Sequence, residues 1–279
     1  MLVGCDFSSS PSKRKPIVIA LGSSKQGRVH LQEILRFETL DAWSQWLKLP
    51  QAWIGGFDLP FGLPRELVES LHWPNNWLAC TKHFSAMSRD TIRQHFKAFC
   101  DARPVGKKFA HRKTDGPAGS SPSMKWVNPP VAFMLHAGVP RLLDAGITLP
   151  GLYTPNQEQI ASKRIALEAY PGLLARELVG NRSYKSDNKA KQTPERLIAR
   201  KQILQALEMG QTRLDLRLKL THAQHDALVA DASGDTLDAV LCMVQAAWAE
   251  LQHINDHACY GLPIFDSIEG WIVTAKPTS

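Results

Sequence analysis

Five carboxylates in this chain stand among apolar neighbours, where carboxylates are usually excluded. Asp6 ends the opening MLVGCD, and Asp58 closes WIGGFD. Glu168 interrupts the apolar run Ile165–Ala169, and Asp235 and Asp238 fall in SGDTLDAVL. A lone buried acid is costly unless it is paired or bound to metal. Acids gathered at one place repel each other and raise one another's pKa. A hard divalent cation with oxygen ligands, Mg²⁺ or Mn²⁺, relieves that repulsion. Two such ions about 4 Å apart activate water and stabilise the leaving oxygen in phosphodiester hydrolysis. Simpler roles compete with this one. Asp58 alone could cap the turn that follows it. Acids in the first turn of a helix suit its dipole, with Asp231 or Ser233 as the cap. Capping does not account for Asp238, set between Leu237 and Ala239 on a core-facing helix.

These residues need elements to hold them. MLVGCDFSSSPSKRKPIVIALG reads as a strand, a polar turn and a second strand, and GRVHLQEILRFE as a third. Leu40, Trp43, Trp46 and Leu47 have helical spacing, with Thr39 or Asp41 near the N-cap. AWIGGF is short, apolar and uncharged, and Pro60 stops it. Asp58 then sits at the carboxyl lip of a sheet, where α/β proteins place their ligands. The order implies an antiparallel set extended by a parallel strand. Helices are expected at Pro64–Leu71, Arg89–Ala102 and Val131–Ala145, a strand near Ile165–Ala169, and helices at Pro194–Glu208, 221–230 and from Asp235 onward. GWIVTA suits a last strand or an ordered tail. The segment RPVGKKFAHRKTDGPAGSSPSMKWVNPP is long and aperiodic, as functional or disordered loops are. The whole chain, 1–279, reads as a single domain with an insertion of helices and a basic loop at about 64–160.

With 279 residues and 44% hydrophobic content the chain can bury a full core. Its net charge of +7 is concentrated between Lys82 and Lys125 and between Arg176 and Lys201. Such clusters favour polyanions, or else form a solvated basic face. The five cysteines include no CxxC pair, the N-terminus lacks a signal-peptide pattern, and no stretch approaches the roughly 18 apolar residues of a membrane span. A cytoplasmic protein without a membrane partner is expected.

GCD at Asp6, FDLPFGLP around Asp58, EAYP from Glu168 and SGDTLDA over Asp235 and Asp238 together resemble the predicted RNase-H-like nucleases grouped as domain of unknown function 429. The late IEGWIV resembles that family's closing motif. The resemblance spans most of the chain. It implies an α/β fold: an RNase H-like mixed five-stranded sheet with flanking helices and a helical and loop insertion. It also implies catalytic residues at Asp6, Asp58, Glu168 and Asp238, and metal ligands at Asp6, Glu168, Asp235 and Asp238. Arg89, Arg93, Arg103, Lys107, Lys108, Arg112, Lys185, Lys189 and Lys191 would grip DNA or RNA. Ala169-Tyr170-Pro171 stands where the family commonly has His-Pro after the glutamate.

The expected activity is therefore hydrolysis of nucleic acid with Mg²⁺ or Mn²⁺ by a two-metal-type mechanism. A nucleic-acid-binding module with a degenerate site, and a hydrolase of a small phosphorylated or glycosidic substrate, are the alternatives. His222 and His225, His253 and His257, and Cys259 have zinc-like spacing but complete no closed set. P-loop, GxGxxG and GxSxG signatures are absent. Trp126 in the basic loop suits either a base-stacking surface or a loop anchor.

Overall fold

The computed structural model describes residues 1–156 and 163–277. β1 (Leu2–Asp6), β2 (Ile17–Lys25) and β3 (Arg28–Phe37) form an antiparallel meander. α1 (Leu40–Leu47) starts where Thr39 accepts a hydrogen bond from the Ala42 amide at 3.1 Å. β4 (Trp53–Asp58) then returns parallel to β1, and β5 (Arg164–Glu168) pairs in parallel on its far side. Between β4 and β5 lie α2 (Arg65–Ser70), α3 (Trp77–Ser85), α4 (Arg89–Asp101), α5 (Asp115–Ala118) and α6 (Val131–Asp144). After β5 come α7 (Pro171–Val179), α8 (Pro194–Met209), β6 (Arg217–Lys219), α9 (His222–Ala230) and α10 (Asp235–Ile254).

The protein is α/β, with a mixed, mostly parallel sheet of six strands in the order β5-β4-β1-β2-β3-β6. The expected count of five is corrected by β6 beside β3. That strand has three residues and one fully buried apolar side chain, Leu218, between Arg217 and Lys219, so it leaves no alternating pattern to read. GWIVTA is an ordered tail rather than a strand, and the Val273 amide bonds the carbonyl of Glu168 at 2.7 Å.

Side-chain alternation divides the interior into two cores, one on each face of the sheet. Val3, Cys5 and Phe57 meet α1, α2, α3, α4 and α6 through Trp43, Leu67, Phe84, Phe96 and Leu142. Leu2, Ile54 and Leu167 meet α7, α8 and α10. α10 is about 30 Å long by its 20 residues and is buried almost all round, as a central helix must be.

Two glycines set how close α10 comes. A Cβ on Gly4 would lie 1.9 Å from the Ala239 carbonyl oxygen, and one on Gly56 2.4 Å from that of Cys242. Gly4 and Gly56 are register neighbours, and so are Asp6 and Asp58 two residues on. Each aspartate thus points to the same side as its glycine, toward α10. Replacement Gly4→Ala is expected to destabilise the protein by about 3 kcal/mol or more, since the obstacle is helix backbone, as urea unfolding would measure.

Candidate metal centre

Asp6, Asp58 and Glu168 are the last residues of three neighbouring parallel strands, and Asp238 lies in the first turn of α10. One carboxylate oxygen from each of Asp6, Asp58 and Asp238 falls within 4.8 Å of the other two. Asp238 is fully buried and Asp6 is 9% exposed, while Asp58 is half-buried. Among the described residues no donor bonds the side-chain oxygens of Asp6 or Asp58. Those of Asp238 both accept from the chain: the Tyr184 hydroxyl donates to Oδ1 and the Lys185 ammonium to Oδ2.

Burial, with Asp238 adding to it against the opposing charge of Lys185, holds Asp6 well above the usual carboxylate range. The same causes bring Asp58 to about 7. Burial opposes the charge on Lys185, yet Asp238, Tyr184 and Asp6 raise its pKa well above the ordinary value. The lysine is carefully seated. Gly234 has φ +79°, and a Cβ there would lie 2.6 Å from the Lys185 stem. Buried Arg200 holds the Tyr184 carbonyl at 2.7 Å, and Arg196 bonds the carbonyl of Lys185.

Glu168 stands apart from the triad, which corrects its expected place among the metal ligands. It is in register with Phe57, not Asp58, so its side chain leaves the opposite face of the sheet. There Arg112 donates to both of its oxygens, at 2.8 and 2.7 Å, and the Phe61 amide adds a bond at 2.9 Å. Burial raises the pKa of Glu168, against Arg112. Arg112 also bonds Asp115 and the Glu269 carbonyl, and is 3% exposed. Expected among the nucleic-acid-binding residues, Arg112 lines the cleft as a buried cation whose charge is engaged by Glu168 and Asp115. Asp235 also lies outside the triad. It is the first residue of α10, with its pKa raised by burial against Lys15 and Lys185. Capping of α10 falls to Asp231, which accepts from the amides of Ser233, Gly234 and Thr236.

Two members of the triad, Asp6 and Asp58, open into a cleft of about 820 Å³, with Asp238 buried behind them. Asp6, Asp58, Glu168 and Asp235 line it, and its walls include Arg89, Arg93, Lys185, Trp126 and Phe133. Arg89 and Arg93 each stand 5.0 Å from the Phe133 ring centre, and Arg89 donates to the Ser9 carbonyl at 2.7 Å. Trp126 is half-buried, packed on Phe96 and Phe109 with the cleft beside it. Arg103, Lys107, Lys108, Lys189 and Lys191 do not line the cleft. Arg103 pairs with Glu66 and lies over Phe99, Lys107 and Lys108 are exposed in the segment after α4, and Lys189 and Lys191 are exposed in a short 3-10 helix. Lys15 and Tyr184 are functional candidates that the sequence reading passed over. Lys15 hid in an ordinary polar turn, and Tyr184 carried no signal beyond its neighbour Lys185. The histidine pairs form no ligand group with a third side chain among the described residues.

Arg112→Ala should cost about 3–5 kcal/mol in urea unfolding, because it strands Glu168 and Asp115 without their partner. Asp58 gives a pH signature. Between its ordinary 3.8 and about 7 the folded, metal-free protein holds a proton that the unfolded chain has released. Stability in chelator should accordingly fall as pH rises through that window, and Asp58→Asn should restore about 1–3 kcal/mol at pH 8 but little near pH 4.

Comparison with protein families, with curated proteins and with solved structures returned no match.

Proposed function

We propose that the protein is a divalent-metal-dependent phosphodiesterase that hydrolyses nucleic acid, built on an RNase H-like frame. The observation that carries this reading is the convergence of Asp6, Asp58 and Asp238, from strands one and four and the long last helix. Those are three of the places where the family resemblance expects acids. The donor set fits a hard cation: all three groups supply oxygen, and Asp6 is buried with no hydrogen-bond donor among the described residues to balance it. Mg²⁺ or Mn²⁺ held there would polarise a phosphoryl oxygen and make water a better nucleophile.

The chain's own residues do the rest. Asp6 and Asp58 ligate, and Asp238 ligates or orients, held by Tyr184. Lys185, Arg89 and Arg93 face the cleft with positive charge for the phosphates. Glu168, gripped by Arg112, fixes the Phe61 amide and with it the turn after Asp58. A cytoplasmic setting agrees with five cysteines all free of disulfides, and no described helix is long and apolar enough to cross a membrane.

A second reading, a nucleic-acid-binding module that no longer takes metal, is favoured by one feature: both Asp238 oxygens are already engaged by Tyr184 and Lys185. Thermal unfolding with and without Mn²⁺, paired with cleavage of linear oligonucleotides, separates the two. The metal enzyme should gain several degrees at saturating Mn²⁺, since a ligand at 100 times its Kd stabilises by about 2.7 kcal/mol. Asp6→Asn and Asp238→Asn should lose that gain and at least about 100-fold in cleavage rate, or about 2.7 kcal/mol of transition-state stabilisation. Salt-dependent binding of oligonucleotides with no Mn²⁺ effect on either measurement would favour the module.

A further inference from the structure

Asp58 does not sit at a dead end. Asp58, Tyr170 and Lys185 line the main cleft and also a second recess of about 330 Å³. Arg176, Arg182 and Ser183 line the far side of that recess, and Asp58 is its one carboxylate among the described residues. Arg182 is exposed, with its Nε turned to the Val179 carbonyl at 3.0 Å, so the other guanidinium nitrogens have no described partner. Arg176 lies 5.3 Å from the Tyr170 ring centre and donates to the Ala118 carbonyl. The recess thus offers cations to an anion arriving beside Asp58, on the side away from Trp126 and Phe133.

We infer that the second recess is a binding site for a backbone phosphate of single-stranded nucleic acid, and that the strand crosses the triad and is cut internally. This rests on the phosphodiesterase reading. A site for chain ends needs a wall on one side of the reacting phosphate, whereas here both sides are open and cationic. The strand must dip to acids that are buried at the floor and rise again on each side. Duplex DNA is stiff over about 150 base pairs, whereas an unpaired strand bends freely and can lay a base on Trp126. In the reaction a water oxygen bonds to phosphorus and one P–O ester bond breaks. One water proton ends on the departing oxygen and the other is released to solvent, leaving one phosphate end and one hydroxyl end.

The test uses the full chain with Mn²⁺ on circular single-stranded DNA and RNA, on linear strands of the same sequences, and on closed duplex DNA. Opening of a DNA or RNA circle within about tenfold of the rate for its linear form, with duplex at least about 100-fold slower, is expected. A companion measurement needs no turnover: fluorescence anisotropy of a labelled single strand with Asp6→Asn, alone and combined with Arg182→Ala. The added substitution should weaken binding at least about fivefold, and less at high salt. Linear strands degraded while circles stay intact would overturn internal cutting and leave the phosphodiesterase reading standing. Duplex cut as fast as single strand would overturn the strand preference, and unchanged binding in Arg182→Ala the second recess. Failure to cut any of the substrates would remove the underlying reading as well.

Discussion

Everything at the centre of this protein depends on how closely one helix can lie on one sheet. Gly4 and Gly56 sit side by side on β1 and β4 and leave no side chain between the sheet and the backbone of α10. The helix descends into that space, and its first turn brings Asp238 to the two aspartates that end the same strands. Any side chain at either glycine would lift the helix and separate the three carboxylates. The packing contact and the candidate centre are therefore one feature seen at two heights along the strands.

Collecting three acids in a buried place stores electrostatic repulsion, and the fold disperses part of it locally. Lys185 and Tyr184 engage Asp238, while Asp6 and Asp58 are left with raised proton affinity. A fourth acid on the same face would add to the strain. Glu168 still pushes Asp58 upward, but register limits its part: one residue's offset turns it to the opposite face, where Arg112 and Asp115 complete a separate ion network. That network anchors the basic segment after α4 to the sheet and shapes the cleft wall without exposing its charge.

Basic residues divide along the same lines. Arg89, Arg93 and Lys185 reach the cleft because α4 and the chain before α8 are packed against its rim. Arg103 and Lys107 belong to the same stretch of sequence but lie beyond the end of α4, where Glu66 and solvent receive them. Charge density along the chain locates a basic surface; which charges face a cavity is a matter of helix phase and loop path.

The α/β class, the first strand holding Asp6, the strand end at Asp58, the helix beginning at Asp235 and the oddity of Asp238 were all legible in the sequence. Each follows from local patterning: apolar runs stopped by proline, helical spacing, an acid where only apolar residues belong. β6 was not legible, being three residues recruited by pairing rather than pattern. Nor was the separation of Glu168 from the triad, the burial of Arg112 or the placing of Lys185. These follow from strand register and from contacts between residues far apart in the chain. A single sequence holds no direct record of either, because the face a side chain takes is decided by which neighbour its strand pairs with.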